Sequence, residues 1–338
     1  MIKKAILTTI AAAAFTAAGA ASAAEKITLA LPGVPPVFLN SISLVAQEAG
    51  LFKKYGVDVT LKPMNSGAAA AKAVVSGNID LSFSPTQFVV SLASNSGAPV
   101  KLIYGLDNPD WLLGSMDPKL QGCEALKKGA VGVDSKGGAR WIQLNTILVR
   151  KCKLKIDRDV KTVPLSSNVG TAMAAGQIPF GILHLDDIPA IEKKSGKKVH
   201  VFETVESIAP NIHQISLVAL KSTLEKRKDT VARVVAALRD AANMINDPAN
   251  LDKVSKMVGM TKRSPEEAKI AIPQLVAITY WPKGTAGLDQ KRVEGAIANQ
   301  VRVGKISKGR SGINPKKKPV SYGDIVDLSI WDAAQKLK

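Results

Sequence analysis

The residues with the clearest chemical potential form a glycine-rich turn, Asp134–Gly138, between an apolar run and a helical pattern, Ala139–Val149. A strand that runs into such a turn and then into a helix points several backbone N–H groups at one place. The dipole of the helix makes that place favourable for an anion. Ser135, Gly137 and Gly138 are therefore predicted to bind an anionic headgroup, with a plain strand-to-helix connection as the alternative.

Charged side chains near predicted strand ends qualify this prediction. Lys136 or Arg140 would add positive charge beside the turn. Carboxylates also follow predicted strands, at Asp107, Asp110, Asp186 and Asp187. A pocket for a bare anion should avoid several carboxylates, so Asp107 and Asp186 favour a ligand with an amine or a hydroxyl. Solvated turn caps are the alternative for these carboxylates.

A second set of candidates lies in the first third of the chain. Ser66, Ser84 and Thr86 stand at predicted helix starts, where hydroxyl groups either contact a ligand or cap the helix. Pro36 and Phe38 would give a stiff apolar wall to a pocket, or simply shape their loop.

Aromatic and imidazole side chains complete the candidate site. Trp111 lies where the chain leaves its first domain and could stack on a ligand. His213 lies near the start of an apolar, β-branched run and is included as a ligand contact. Neither His184 nor His213 has a second ligand at metal spacing, so a metal site is not expected. No cofactor is expected either.

The elements that position these residues follow a repeated strand–helix order, which predicts parallel sheets with helices on both faces. Ligands of such sheets bind outside the carboxyl ends of the strands. In the first part of the chain those ends are the loops 33–40, 65–68, 84–86 and 105–110. After a strand predicted at Trp111–Ser115, a second set begins with the strand Ala130–Val133.

The N-terminus has the pattern of a Sec signal peptide over residues 1–23. A basic start precedes a short apolar run and the site Ala21-Ser22-Ala23. A membrane anchor is the alternative, although small Ala and Thr residues would make a weak spanning segment. The sequence therefore predicts a soluble protein exported to the periplasm.

The net charge of +18 raises the possibility of nucleic-acid binding. Export argues against that function, and the lysines are spread along the chain. A solvated basic surface is the simpler interpretation, with no nucleic-acid partner expected.

Cys123 and Cys152 are the two cysteines of the chain. An isolated pair in an exported protein predicts one disulfide, because a strand and the helix packed back along it return the chain to the same end. Two buried free thiols are the alternative.

Three stretches resemble a known family: Ala46–Gly67 with its central GLFKKYG, Gly77–Leu81, and Gly129–Val149. Their order and spacing are similar to those of periplasmic solute-binding proteins of ABC importers. That family takes up sulfonates, taurine, nitrate and related compounds, and includes relatives that bind thiamine pyrimidine precursors.

The resemblance implies a type II periplasmic binding protein fold, with two doubly wound α/β lobes joined by two crossing strands, Trp111–Ser115 and Ile215–Leu220. Lobe 1 would comprise residues 24–110 and 218–338, and lobe 2 residues 111–217. A small polar organic solute, anionic or zwitterionic, would be trapped between the lobes and delivered to the permease of an ABC importer.

The resemblance further implies a monomer that meets the membrane only through that permease. The alternatives are an enzyme on the same fold, of the desulfinase or thiamine-pyrimidine-synthase kind, or a sensor subunit that presents its ligand to a receptor.

Overall fold

The computed structural model describes residues 24–106 and 108–338. The predicted signal peptide, residues 1–23, and the candidate Asp107 lie outside the described residues.

The described strands form two five-stranded sheets. In chain order they are β1 (Glu25–Pro32), β2 (Val57–Met64), β3 (Leu81–Pro85), β4 (Val100–Leu106), β5 (Leu112–Ser115), β6 (Ala130–Val133), β7 (Lys161–Pro164), β8 (Phe180–Leu183), β9 (His200–Thr204) and β10 (Ile215–Leu220). The first sheet has the order β2-β1-β3-β10-β4 and the second the order β7-β6-β8-β5-β9. Each sheet with its helices is one lobe, lobe 1 and lobe 2.

Both sheets are parallel apart from one strand. In lobe 1, β1 pairs in parallel with β2 and β3, whereas β10 is antiparallel to β3 and β4. In lobe 2, β6 pairs in parallel with β7 and β8, whereas β5 is antiparallel to β8 and β9. Each antiparallel strand is the first that the chain forms after crossing between lobes. The predicted boundary between residues 217 and 218 falls inside β10.

Helices cover the faces of both sheets. They are α1 (Ser41–Glu48), α2 (Leu51–Lys54), α3 (Gly67–Val75), α4 (Thr86–Ser96), α5 (Gly122–Leu126), α6 (Ala139–Ile147), α7 (Val169–Ala174), α8 (Asp187–Ser195), α9 (Val205–Ile208), α10 (Lys221–Asn246), α11 (Leu251–Met257), α12 (Pro265–Ala277), α13 (Gln290–Ser307), α14 (Tyr322–Ile325) and α15 (Ser329–Gln335). A π-helical segment, Leu148–Cys152, continues α6.

Local sequence chemistry explains several helix ends. Ser66 begins α3 by accepting a hydrogen bond from the backbone N–H of Ala69 at 3.2 Å. Ser264 and Glu267 form a reciprocal capping box at the start of α12. The sequence pattern over residues 40–52 predicts one helix, but Gly50, at φ 71°, separates α1 from α2.

Tertiary pairing explains another break. The sequence pattern over residues 322–337 predicts one helix, but α14 and α15 are separate. Between them Val326 forms a bridge with Leu102 of β4, and the N–H of Asp327 donates to the carbonyl of Leu102 at 3.0 Å. A hydrogen bond to the edge strand replaces a helical one there.

The predicted disulfide is present. The sulfur atoms of Cys123 and Cys152 are 2.10 Å apart and the Cα atoms 5.4 Å apart. The bond joins α5 to the end of the π-helical segment, so it fixes the far end of the helix that follows the glycine-rich turn.

None of the helices between residues 24 and 338 combines the length and the apolar character needed to cross a bilayer.

Candidate binding cleft between the lobes

The cleft between the lobes has a narrow inner part. Residues of lobe 1, such as Gly33, Ser66 and Pro85, face Arg140 and His184 of lobe 2 across it. The cavity there has a volume of only about 20 Å³. That is room for about one water molecule, so the lobes are closed on each other in this conformation.

A larger cavity of about 230 Å³ opens beside the inner part. Its apolar wall contains Pro36 and Phe38, and its polar wall contains Asp186, Asp187 and Arg263. The two cavities share Arg140 and His184 as well as Val37, so they are parts of one cleft.

A network of charged side chains crosses the cleft between the lobes; we call it the charged seam. Its members are Asp110, Arg140, His184, Asp186, Asp187 and Arg263. All except Arg263 are at most 5% exposed. Buried ionic groups of this kind persist only when they are paired and hydrogen-bonded.

Arg263 is the residue of lobe 1 in the charged seam. It lies just before α12 and donates from Nε to Oδ2 of Asp186 at 2.8 Å and from Nη2 to Oδ1 of Asp187 at 2.6 Å. Both carboxylates lie at the start of α8 in lobe 2. Two charge-assisted hydrogen bonds therefore hold this edge of the cleft shut.

Arg140 and Asp187 form the buried pair of lobe 2. Arg140 donates from Nη2 to Oδ2 of Asp187 at 3.0 Å and from Nη1 to the carbonyl of Ile182. Burial works against the charged form of Asp187, but the two guanidinium groups, Arg140 and Arg263, outweigh it and lower the pKa of Asp187. Burial has the larger effect on Asp186 and raises its pKa despite Arg263.

Asp110 and His184 form a hydrogen-bonded pair on one side of the cleft. The carboxylate oxygen Oδ1 of Asp110 lies 2.8 Å from Nδ1 of His184. Because a carboxylate only accepts, Nδ1 carries the proton and donates it. The imidazole also packs against Trp111, with ring centroids 3.9 Å apart. Trp111 and His184 therefore form one fixed wall of the inner cleft.

In the glycine-rich turn, several backbone donors bond to groups of the turn itself. Oδ1 of Asp134 accepts from the backbone N–H of Ser135 at 2.8 Å and from that of Trp141 at 3.4 Å. The N–H of Gly138 donates to the carbonyl of Ser135 at 2.9 Å. Neither Ser135 nor Gly137 lines either cleft cavity. An internal carboxylate thus caps this helix, where the sequence favoured an external anion.

Gly138 has a packing role in this arrangement. A Cβ atom at Gly138 would lie 2.3 Å from Oδ2 of Asp134, so only glycine lets the carboxylate approach the helix start. Burial in turn raises the pKa of Asp134, against the lowering effect of the backbone N–H donors. The anion contacts predicted for Ser135, Gly137 and Gly138 stay a prediction, with Asp134 already bonded to part of the turn.

Three further candidates are buried behind the cleft. Ser84 and Thr86 are fully buried, and neither lines the two cavities. Thr86 Oγ1 lies 2.8 Å from Nδ1 of His213 and 2.6 Å from the hydroxyl of Ser216. Nε2 of His213 donates to the carbonyl of Gly287 at 2.6 Å. Burial lowers the pKa of His213 to about 4. Internal partners thus engage the Thr86 hydroxyl and both ring nitrogens of His213, and the ligand contacts at Ser84, Thr86 and His213 stay predictions.

The remaining described candidates line the cleft. Ser66 and Trp111 lie on the inner cavity, and Pro36, Phe38 and Asp186 on the larger one. Whether they contact a ligand stays a prediction.

A second network, built from side-chain amides, joins the lobes behind the cleft; we call it the amide seam. It consists of Gln87, Gln143, Gln214, Asn299 and Gln300, each at most 5% exposed. Oε1 of Gln87 accepts from Asn299 and from Gln300, both at 2.8 Å. Gln143 of lobe 2 donates to Oε1 of Gln214, between the lobes. The amide seam meets a charged group at Arg150 of lobe 2, which donates from Nε to Oδ1 of Asn299 at 2.8 Å.

Sequence reasoning missed Arg263 as a site residue. The residue lies in the loop before α12, and its partner Asp186 lies 77 residues away in the chain. The one available signal was a lone arginine between a helix stop and a strong capping box. That signal gives no partner, because pairing across the lobes depends on the tertiary fold.

Among the described residues, no group of three or more His, Cys, Asp or Glu side chains could hold a metal ion.

The two sheets, each with one antiparallel strand contributed after a crossing, and the cleft between them define a type II periplasmic binding protein fold. The chain belongs to the NMT1/THI5-like family, whose model matches residues 40–251. No curated protein sequence matches the chain.

Solved structures share the fold at low sequence identity. A protein from Bordetella bronchiseptica RB50 has a TM-score of 0.77 at 21% identity, over 92% of this chain and 97% of that one. The nitrate-binding protein NrtA from Synechocystis PCC 6803 has a TM-score of 0.66 at 13% identity, over 93% and 89%. The alkanesulfonate-binding protein SsuA from Xanthomonas axonopodis pv. citri, bound to MOPS, has a TM-score of 0.65 at 16% identity, over 84% and 93%.

Proposed function

We propose that this protein is the solute-binding component of an ABC importer and captures a small polar organic solute between its lobes. The observation that carries the proposal is Arg263, which reaches from lobe 1 to Asp186 and Asp187 of lobe 2 beside a cavity of about 230 Å³. A ligand that replaces these contacts would bind and close the same cleft. The similarity in fold to an alkanesulfonate-binding protein and a nitrate-binding protein supports this function.

The charged seam favours an anionic or zwitterionic solute. A sulfonate or carboxylate can take the place of Asp186 on the guanidinium of Arg263. The carboxylate released in this way is then free to accept a hydrogen bond from an ammonium or hydroxyl group of the same solute. Trp111 and Phe38 supply apolar surface for its carbon skeleton.

Residues 1–23 and the family fold support export to the periplasm and a monomer that meets the membrane only at the permease. The cleft supports binding rather than catalysis, because both cysteines are joined in a disulfide away from it. A sensor role would use the same cleft, and the receptor or permease partner would distinguish the two roles.

The test is calorimetric titration of the purified protein with taurine, ethanesulfonate and nitrate, together with melting-temperature shifts. We expect binding of taurine or ethanesulfonate, and loss of at least about tenfold in affinity in Arg263→Gln, because one charge-assisted contact is removed. Lys198→Gln is the control, since this lysine lies at the surface, pairs with Glu192 and lines none of the cavities described.

No heat and no melting shift with any of the three solutes would contradict the proposed ligand class. Equal affinity of the wild type and Arg263→Gln would contradict the assignment of the cleft.

A further inference from the structure

We propose a second binding site on the other side of α6, which takes a small organic anion with an apolar body. The site is a cavity of about 230 Å³ between α6 and the loop 155–158 of lobe 2 and the end of α13 in lobe 1. We call it the α6–α13 groove. It shares no residue with the two cleft cavities.

The groove carries positive charge without matching carboxylates. Lys136, Lys155 and Arg310 line it, and none of the three forms an ion pair with a described residue. Arg310 makes one hydrogen bond, from Nε to the carbonyl of Ser307 at 3.2 Å. The fourth cation, Arg158, is already paired with Asp159. The groove thus differs from the charged seam, where the arginines are paired with carboxylates.

The carboxylate that lines the groove is engaged from the protein side. Oδ2 of Asp157 accepts from Nε1 of Trp141 at 3.3 Å, and Oδ1 accepts from the hydroxyl of Thr162 at 2.6 Å. One carboxylate against three unpaired cations leaves a net positive potential in the groove.

Asn145 is the observation that points to a ligand. Its side chain lies on α6 within the lining of the groove and is only 5% exposed. No described group forms a hydrogen bond with its amide. The amide atoms open onto the groove, so an occupant can supply the hydrogen bonds that no described group provides. The amide offers both a donor and an acceptor to an occupant.

The floor and rim of the groove are apolar. Trp141, on α6, and Val149, in the π-helical segment that continues it, each lie four residues from Asn145 and line the same groove. Ile306 faces them from α13 and is 42% exposed, which is unusual for a large apolar side chain. An occupant with an aromatic or alkyl body would cover this surface while its anionic group meets Lys155 and Arg310.

Because α6 and α13 belong to different lobes, an occupant would bridge them. The chemistry therefore assigns the groove to an aryl or alkyl sulfonate or carboxylate. This inference does not depend on the solute that occupies the cleft.

The test is calorimetric titration with 1-naphthalenesulfonate, with 1-naphthalenemethanol as its uncharged counterpart. We expect the sulfonate to bind and the alcohol to bind at least about tenfold more weakly, because it lacks the charge-assisted contacts. The double variant Lys155→Gln/Arg310→Gln should lose at least about tenfold in affinity for the sulfonate. Both side chains are at or near the surface, so the variant should keep its melting temperature.

Asn145→Leu is the second variant, since it removes the unpaired amide and fills the space. It should also weaken binding of the sulfonate, with a melting temperature at or above that of the wild type. The cleft variant Arg263→Gln is the control and should bind 1-naphthalenesulfonate as the wild type does.

The proposal is overturned if the wild type shows no binding, or if the double variant binds with unchanged affinity. It is also overturned if Arg263→Gln abolishes binding, because the probe would then occupy the cleft.

Discussion

The charged seam and the amide seam both join the lobes, yet they are built from opposite chemistry. In the charged seam, Arg263 donates charge-assisted hydrogen bonds to Asp186 and Asp187 beside an open cavity. In the amide seam, Gln143 of lobe 2 donates to Gln214 and Asn299 donates to Gln87, and both are neutral hydrogen bonds in the closed interior. A ligand with charged groups can replace the partners of the first seam but has no access to the second. The difference assigns ligand exchange to the charged seam and a fixed pivot to the amide seam.

The largest effect is expected at the centre of the charged seam. Arg140→Met should lower the free energy of unfolding by about 3–5 kcal/mol, because it removes one partner of a buried ion pair. Urea unfolding measures this change. Arg158→Met, an arginine at the surface, should leave the transition midpoint almost unchanged. A small effect of Arg140→Met would show that Arg263 alone is sufficient to stabilise the buried carboxylate of Asp187.

Acidification should act behind the cleft through His213. Burial lowers the pKa of His213 from 6.5 to about 4, so the native state holds it neutral while the unfolded chain takes up a proton. Stability should therefore fall as the pH decreases from about 6.5 to about 4, by about 3 kcal/mol in total, and change no further through this group below that range.

The matching variant is His213→Gln, which should flatten the pH dependence of urea unfolding between pH 4 and 6.5. His200→Gln, on β9, should keep the wild-type slope. An unchanged slope in His213→Gln would assign the pH dependence to other groups.

In the amide seam, Gln87→Met should cost about 1–3 kcal/mol, because the amides of Asn299 and Gln300 lose their shared acceptor in a buried setting. The cost should depend little on ionic strength, because the side chains that bond to the amide of Gln87 are themselves neutral amides. Gln121→Met is the control at an exposed position. A cost that falls with added salt would contradict the neutral character of this seam.

The smallest effect is expected at Ser166, which joins the lobes at the cleft rim. Its hydroxyl donates to the carbonyl of Asn65 at 3.0 Å and accepts from the N–H of Val34 at 3.3 Å. Ser166→Gly removes both contacts while suiting the local φ of 52°. It should cost about 1 kcal/mol or less and increase the radius of gyration slightly, as measured by small-angle X-ray scattering. An unchanged radius would show that the charged seam alone keeps the rim closed.

Elements set by local patterns could be predicted from the sequence. The strand Ala130–Val133 has the predicted bounds, because an apolar run and a glycine-rich turn define both of its ends. The capping box that begins α12 could likewise be inferred from Ser264 and the acidic first turn. The same holds for the disulfide, since strand and helix lengths brought Cys123 and Cys152 to one end of lobe 2.

The site was less predictable, because it depends on which polar group reaches which partner. The carboxylate of Asp134 accepts hydrogen bonds from backbone N–H groups of Ser135 and Trp141. The sequence alone could not show whether these N–H groups bond to Asp134 or to an external anion. His213 was predicted at a strand end, where either a cleft or the interior is possible, and the fold places it in the interior. Arg263 finds its partners only after the lobes meet. Contacts between distant segments of the chain were therefore the part that local patterns could not supply.

The position of β10 in the first sheet affects the order in which the two lobes can fold. Strand β4 pairs in the first sheet only with β10, so it has no strand neighbour until residues 215–220 have joined it. The second sheet draws all its strands from one continuous stretch and is complete at Thr204. We therefore expect lobe 2 to fold first during synthesis of the chain. Lobe 1 begins earlier in the sequence but can complete its sheet only after lobe 2 has been made.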